Sequence, residues 1–272
     1  MAAAPSPPPD LLRRVRTWFK TFTEPYRRLD ADGKGNIRLK ITHTYRVCGE
    51  IRRLALDMGL SAGERRIAQC AALLHDVGRF EQYARYGTYL DSQSIDHAAL
   101  GVDLIRDHGV LGGLSDPLPS RILQAVAVHN RKELPGNLHP ETARLCAMLR
   151  DADKIDIWRV LLTHYEAESG GRNASLDFAL PDLPEVAPEV RERLIERSIV
   201  DMGTVRSLTD LRLLQVGWVY DVHFPYTFER IRKRRILERF EALLPRTNEI
   251  RRFLDIARSH VAESRFEKGG AS

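Results

Sequence analysis

The sequence predicts an all-α fold, because apolar residues recur at helical spacing along most of the chain. No segment of useful length alternates apolar and polar residues with the period of two that is typical of a β-strand. The chain has 272 residues, of which 43% are apolar, so it can bury a sizeable core. It contains no apolar run of roughly 18 residues, and we therefore expect no membrane span.

The amino-terminal segment and the cysteines indicate a cytoplasmic protein. Residues 1–9 are rich in Ala and Pro and lack the apolar run of a secretory signal, and we expect them to be disordered. Cys48, Cys70 and Cys146 lie far apart among apolar residues, which is typical of buried free thiols in a reducing compartment.

Residues 10–22 predict a short amphipathic helix, and a turn-rich connection follows at residues 29–36. The connection reads LDADGKGN and starts like a calcium-binding loop. However, Ile41 stands at the position where such a loop needs a bidentate Glu. We therefore interpret the segment as an ordinary loop.

Five helical patterns follow, at residues 41–60, 61–78, 94–109, 119–130 and 140–168. Ser61 and Glu64 form a capping-box signature at the start of the second pattern. Its almost wholly apolar run from Ala68 to Leu74 predicts a buried central helix. Pro140 suits the first turn of the fifth. Further helices are predicted at residues 214–224 and 227–244.

Histidine and aspartate residues recur in order on these predicted helices. Their spacing is H-x31-HD-x20-H-x31-H-x23-D, and the members are His43, His75, Asp76, His97, His129 and Asp153. Apolar neighbours place each of them on the inner face of a bundle, where facing helices commonly build metal sites. An unpaired buried aspartate costs several kcal/mol, and a bound metal removes that cost.

The chemistry of these side chains indicates the class of metal. Four imidazoles and two carboxylates offer nitrogen and oxygen ligands without a thiolate, which favours Fe, Mn, Co, Ni, Zn or Mg. Six ligands exceed the needs of one structural zinc and suit two divalent ions that share a carboxylate. We expect two divalent ions, with Fe or Mn preferred.

The ordered set resembles the signature of the HD superfamily of metal-dependent phosphohydrolases. The segment LLHDVGRF resembles the central motif of that family, and ADKID resembles its final aspartate motif. The segments HAALG and AVAVHN are similar to a subset with two further histidines, which includes the HD-GYP phosphodiesterases and the symmetrical diadenosine-tetraphosphate hydrolases. The GYP segment is lacking, so cleavage of cyclic di-GMP is not implied.

The resemblance covers about residues 40–163. We expect this HD core to lie within a single all-α domain of residues 10–272, an HD-domain helical bundle with a helical extension over about residues 165–272. The resemblance implies that His43, His75, Asp76 and Asp153 hold the first metal. It implies that His97 and His129 hold the second, with Asp76 as the bridge. Asp151 is an alternative to Asp153, which we prefer because Lys-Ile-Asp follows it as in the family.

The resemblance further implies a phosphohydrolase that cleaves a phosphoester or phosphoanhydride bond in a nucleotide or other small phosphorylated molecule. A hydroxide generated at the metals would attack phosphorus. Two alternatives stay open at this point. One is an HD module without catalytic activity that serves as a sensor or binding module. The other is an HD-type di-iron oxygenase, which uses the same types of ligand.

Several residues around the motifs are candidates for binding the substrate. Arg79 could contact a phosphate or a leaving-group oxygen in catalysis, or it could simply be a cation that favours a helix carboxyl terminus. The other candidates are Arg85 and Tyr86, in a predicted polar-aromatic loop, and Asn130, Arg131 and Lys132, in the loop after His129.

The charge of the chain is compatible with an anionic substrate. The net charge is +5, and 35 of the 42 basic residues are arginines, which suit phosphate but also occur in genomes that favour arginine codons. We do not expect nucleic acid as the principal partner, because the basic residues near the carboxyl end fit an amphipathic helix. Homo-oligomer formation is left open.

Overall fold

The computed structural model describes residues 7–32, 35–167 and 174–264, and within these ranges the chain forms helices and no strand. The predicted all-α fold is thus confirmed. None of the described helices is both long enough and apolar enough to cross a bilayer. The α-helices are α1 (Leu11–Thr23), α2 (Asn36–Asp57), α3 (Ala62–Leu74), α4 (Val77–Tyr86), α5 (His97–Asp107), α6 (Leu118–Val128), α7 (Pro140–Tyr165), α8 (Ala174–Asp177), α9 (Pro188–Ile195), α10 (Leu208–Gly217), α11 (Pro225–Lys233), α12 (Ile236–Leu243) and α13 (Asn248–Glu263).

The start of α2 differs from the sequence prediction. The helix begins at Asn36, five residues before the predicted start. The carboxylate of Asp30 accepts hydrogen bonds from the amides of Ile37 and Arg38, at 2.9 and 2.8 Å, and so binds two of the free donors of the first turn. As a result, His43 lies about two turns inside α2 rather than at its start.

The helix predicted over residues 61–78 is two helices. Its amino-terminal end is as expected, because Ser61 and Glu64 form both hydrogen bonds of a capping box. However, α3 ends at Leu74 and α4 begins at Val77. His75 and Asp76 therefore form a junction between two helices, which lets their side chains leave the regular spacing of one helix.

The chain divides into two compact units, residues 1–156 and 157–272, with the division inside α7. In the first unit α1, α2 and α6 pack against α3, and α5 packs against α4 and α6. All residues of α3 from Ile67 to Leu74 are buried, so α3 is the central helix of this unit, as predicted. The single domain of residues 10–272 stays a prediction.

The second unit has its own apolar core. It includes Trp158, Leu213, Phe240 and Phe253, which are all at least 99% buried. The indole nitrogen of Trp158 donates a hydrogen bond to the carbonyl oxygen of Gln215 at 2.8 Å, which satisfies its polar atom inside that core.

The described part of the amino-terminal segment packs against the first unit, and the three cysteines are buried. Of the segment predicted to be disordered, residues 1–6 lie outside the described residues. Pro7 is buried, and its carbonyl oxygen accepts a hydrogen bond from Arg66 at 3.1 Å. Cys48, Cys70 and Cys146 are buried and free, as expected.

Candidate metal centre

The structure brings the six predicted ligands together in the first unit. They are His43 on α2, His75 and Asp76 at the junction of α3 and α4, His97 at the first residue of α5, His129 directly after α6, and Asp153 on α7. The side chains of the four histidines and of Asp76 are at most 4% exposed, and that of Asp153 is 16% exposed.

Asp76 lies at the centre of this cluster, with each carboxylate oxygen facing two histidines. Its Oδ2 lies 3.6 Å from Nε2 of His43 and 3.4 Å from Nε2 of His75. Its Oδ1 lies 3.6 Å from Nε2 of His97 and 3.8 Å from Nε2 of His129. Two groups of potential ligands therefore share one carboxylate.

Asp153 adds a fourth potential metal ligand to the first group. Its Oδ1 lies 3.0 Å from Nε2 of His43 and 3.5 Å from Nε2 of His75. Asp151, the alternative from the sequence, is fully buried. These distances favour Asp153 as the carboxylate of the first group, which then has four donors, whereas the second group has three.

Two of the imidazoles are oriented by carboxylates. Nδ1 of His43 lies 2.8 Å from Oδ2 of Asp156, and Nδ1 of His97 lies 2.7 Å from Oδ2 of Asp91. Such a carboxylate holds the proton on Nδ1, fixes the ring and makes Nε2 a better ligand. Each of the two groups contains one histidine of this kind.

The other two imidazoles are oriented by backbone carbonyls. Nδ1 of His75 donates to the carbonyl oxygen of Ala72 at 2.8 Å, and Nδ1 of His129 donates to that of Val126 at 2.7 Å. A carbonyl only accepts, so Nδ1 carries the proton in both rings. All four histidines therefore direct Nε2 toward Asp76.

Several atoms that face one another in the cluster lack a hydrogen bond. Nε2 of His43, Nε2 of His75 and Oδ1 of Asp153 are buried and find no hydrogen-bond partner among the described residues. Buried polar atoms of this kind cost free energy unless a partner or an ion satisfies them. A cation bound by the first group would thus satisfy these three atoms.

The distances between donors fit a divalent ion. Nitrogen and oxygen ligands at about 2.0–2.2 Å from one ion, at tetrahedral or octahedral angles, lie roughly 3.0–3.5 Å apart. Around the first group the distances are 3.0–3.6 Å. In the second group Nε2 of His97 and of His129 are 3.0 Å apart and lie 3.6 and 3.8 Å from Oδ1 of Asp76, so small shifts would bring all three around one ion. The residues present therefore fit metal ions at both groups.

The electrostatic surroundings keep the carboxylates ionised. Burial raises the pKa of Asp76, but the charges of Lys40 and His75 outweigh it and hold that pKa well below its ordinary value. Burial likewise raises the pKa of Asp153, and its contacts with His43 and His75 lower it well below the ordinary value. Both side chains thus offer negatively charged oxygens.

The two groups differ in the proton affinity of their histidines. Burial and the charge of Arg79 lower the pKa of His97 to about 3, so its Nε2 is a free lone pair at neutral pH. Burial also lowers the pKa of His75, but Asp76 and Asp153 outweigh it and raise that pKa to about 10. A metal at the first group must therefore displace a proton from His75.

Arg79 is held by neighbouring residues. Its Nη1 donates to Oδ1 of Asp91 at 2.7 Å, to Oε1 of Gln82 at 2.9 Å and to the carbonyl oxygen of Tyr89. Its Nε lies 3.7 Å from Oδ1 of Asp76. Since Asp91 also orients His97, this contact supports the second group, and a contact of Arg79 with substrate stays a prediction.

The loop after His129 is linked to α5. The amide nitrogen of the Asn130 side chain donates to Oδ2 of Asp91 and Oδ1 of Asp96, at 3.2 and 3.0 Å. Arg131 pairs with Asp96 at 3.2 Å. The carbonyl oxygen of Lys132 accepts from Arg150 at 3.2 Å. All three loop residues are exposed beside the second group, so their predicted contact with substrate stays a prediction.

Arg85 and Tyr86 do not lie in a loop as the sequence suggested. They form the last turn of α4, which ends at Gly87 in the left-handed conformation, φ 66°. Arg85 pairs with Glu81 at 2.7 Å, and Tyr86 is 47% exposed. The ion pair of Arg85 does not involve the histidines, and Tyr86 is largely exposed, so their predicted role in substrate binding stays a prediction.

Sequence reasoning missed the residues that surround the ligands. Lys40 and the orienting carboxylates Asp91 and Asp156 belong to this set. A signal existed for Lys40, because it lies three residues before His43 and thus on the same face of a helix. Asp156 likewise lies three residues after Asp153, but nothing local links it to its partner His43, which is 113 residues away.

Comparison with known protein families gives a match to this region. Residues 41–158 match the family model of the HD domain. This range contains all six residues of the cluster. Comparisons with curated proteins and with solved structures gave no significant match.

Proposed function

Because this chain carries an HD domain, we propose that it is a metal-dependent phosphohydrolase that cleaves a phosphoester or phosphoanhydride bond. Its substrate would be a nucleotide or another small phosphorylated molecule. Most HD domains belong to hydrolases, which supports the assignment of the chain to that class.

One observation carries the proposal. Four Nε2 atoms and the oxygens of Asp76 and Asp153 face one another at 3.0–3.8 Å, and several of them are buried without a hydrogen bond. We assign His43, His75, Asp76 and Asp153 to one divalent ion and Asp76, His97 and His129 to a second, with Fe or Mn preferred. When bound, two such ions polarise phosphoryl oxygens and lower the pKa of water.

The residues around the ligands would orient them and provide positive charge before substrate binds. The orienting groups on all four Nδ1 atoms fix the rings, so the imidazoles need not turn when ions bind. The buried position of the ligands lowers the local dielectric and strengthens each electrostatic contact. Lys40 and Arg79, whose side chains are 19% and 17% exposed, add positive charge next to Asp76, which favours an anionic substrate.

Metal analysis and phosphate release test the proposal. The purified chain should contain divalent metal, and the loaded protein should release phosphate from at least one member of a panel of nucleotides and sugar phosphates. Chelation should abolish that activity, and Mn²⁺ or Fe²⁺ should restore it. Full activity in the metal-free protein would contradict the mechanism. Oxygen consumption without phosphate release would instead support the oxygenase alternative.

A further inference from the structure

Lys40 lies against the central carboxylate of the cluster. Its Nζ donates to Oδ2 of Asp76 at 2.7 Å, and its side chain is 19% exposed whereas that of Asp76 is 4% exposed. The ammonium also lies 5.5 Å from the centre of the Tyr89 ring. Lys40 is therefore the more exposed partner of this ion pair and can be reached from solvent.

The same oxygen of Asp76 is one that a metal would use. Oδ2 faces Nε2 of His43 and of His75, which with Asp153 form the first group. A divalent ion on this oxygen would lie close to the ammonium of Lys40, and like charges at short range in a buried site repel strongly. Lys40 and the first metal therefore compete for the charge of Asp76.

The two arginines near the cluster are each paired with another carboxylate at shorter range, although Nε of Arg79 also lies 3.7 Å from Oδ1 of Asp76. Arg46 pairs with Asp156 at 2.6 Å, and Arg79 pairs with Asp91 at 2.7 Å. Those carboxylates orient His43 and His97 through Nδ1, on the side away from Asp76. Metal binding at Nε2 leaves both pairs in place, whereas it disturbs the pair between Lys40 and Asp76.

We propose that Lys40 binds a phosphoryl oxygen of the substrate and that metal loading makes it available for this role. In the metal-free protein the ammonium neutralises Asp76. Once ions occupy the cluster, Lys40 turns from Asp76 to the anion. A lysine suits the change, because its ammonium is a compact charge with three donors on a flexible stem. This inference rests on the proposed function.

The inference predicts two opposite effects of removing the charge. Lys40→Gln should bind inorganic phosphate more weakly in the metal-loaded protein, by about 10–150-fold, the usual range for one hydrogen bond to a charged group. The same variant without phosphate should bind Mn²⁺ more tightly than the unsubstituted protein, because a competing cation is gone. A residue that merely supports the fold would instead weaken metal binding when it is replaced.

Calorimetric titration of the full chain measures both effects. The protein is stripped with chelator and titrated with Mn²⁺, and the loaded protein is then titrated with inorganic phosphate. Lys40→Met, which keeps an apolar stem beside the Tyr89 ring, separates lost charge from lost packing. Lys40→Arg should retain most of the phosphate affinity. Lys20→Gln, which removes an exposed lysine on α1, is the matched control and should change neither affinity.

The outcomes distinguish the inference from the proposed function. If the unsubstituted chain binds no Mn²⁺, the proposed function fails. If it binds Mn²⁺ and phosphate and both neutral variants bind phosphate equally well, only the role of Lys40 is overturned. Weaker Mn²⁺ binding in folded Lys40→Gln and Lys40→Met would also overturn it, since Lys40 would then support the metal ligands.

Discussion

Gly78→Ala tests how closely the backbone must pack to place His97. Gly78 is the second residue of α4, two positions after Asp76. A Cβ atom there would overlap the carbonyl oxygen of His97 and lie 2.8 Å from the amide nitrogen of Gly101. Both obstacles are backbone atoms of α5, so they cannot be relieved by turning a side chain. We expect α5 to move away from α4 and to carry His97 with it.

The expected loss of stability follows from two opposing terms. Overpacking a tight contact typically costs about 1–3 kcal/mol, and a backbone overlap belongs at the upper end. Alanine gains up to about 1 kcal/mol over glycine in a helix. We therefore expect a net loss of roughly 2 kcal/mol, which corresponds to a fall in Tm of about 4–8 °C for a chain of this size.

Thermal unfolding and metal analysis measure the two consequences. Gly78→Ala should lower Tm and lose metal from the group of His97 and His129, while the group of His43 and His75 stays occupied. Gly101→Ala is the matched control on the opposite side of the same contact. Its Cβ would lie 3.4 Å from the amide nitrogen of Gly78, within ordinary contact distance, so Tm and metal content should hardly change.

The reasoning would be refuted by either of two results. A Gly78→Ala protein with unchanged Tm and full metal content would show that α4 and α5 have room to spare. An equal loss of stability in both variants would show that the steric difference between the two glycines does not decide the outcome.

Four further substitutions test other parts of the first unit. Asp76→Asn removes the shared charge, so metal analysis should show the loss of at least one ion; retention of all metal with undiminished turnover would contradict the bridging role. Arg150→Met should destabilise the chain by about 1–3 kcal/mol and reduce metal at the second group, because the buried guanidinium donates to backbone carbonyls at the end of α6 and in the loop after it. Arg131→Ala removes an exposed ion pair worth at most about 1 kcal/mol, so metal content should be unchanged, and steady-state kinetics should show mainly a higher KM if the loop binds substrate. Ser61→Ala should cost about 1 kcal/mol at pH 7 in urea denaturation. Hydrogen bonds from Ser61 lower the pKa of Glu64, so their contribution is present above its ordinary value of 4.5 and is lost as pH falls through the lower folded value. The difference between the two proteins should therefore shrink at low pH, and a constant difference would contradict this account.

The sequence by itself determined the features that depend on local spacing. Apolar residues at helical intervals predicted the all-α fold, and Ser61 with Glu64 predicted the capping box at the start of α3. The order of histidines and aspartates predicted the cluster, because apolar neighbours indicated that each of these polar residues is buried. The helical and capping signals are readable because they join residues that are near one another in the chain. The ligand signal is readable because buried histidines and aspartates need a partner such as a metal ion.

The tertiary structure alone decided how the ligands are supported. The break at His75 and Asp76 arises where two helices meet, and no proline or glycine marks it in the sequence at that point. Asp156 orients His43 from 113 residues away, and the carbonyl of His97 determines that residue 78 is glycine. Such contacts depend on how helices approach one another, whereas periodicity reports only which face of each helix is buried. The spacing puts Lys40 on the same helix face as His43, but the contact of Lys40 with Asp76, 36 residues away, depends on how α2 approaches the junction of α3 and α4.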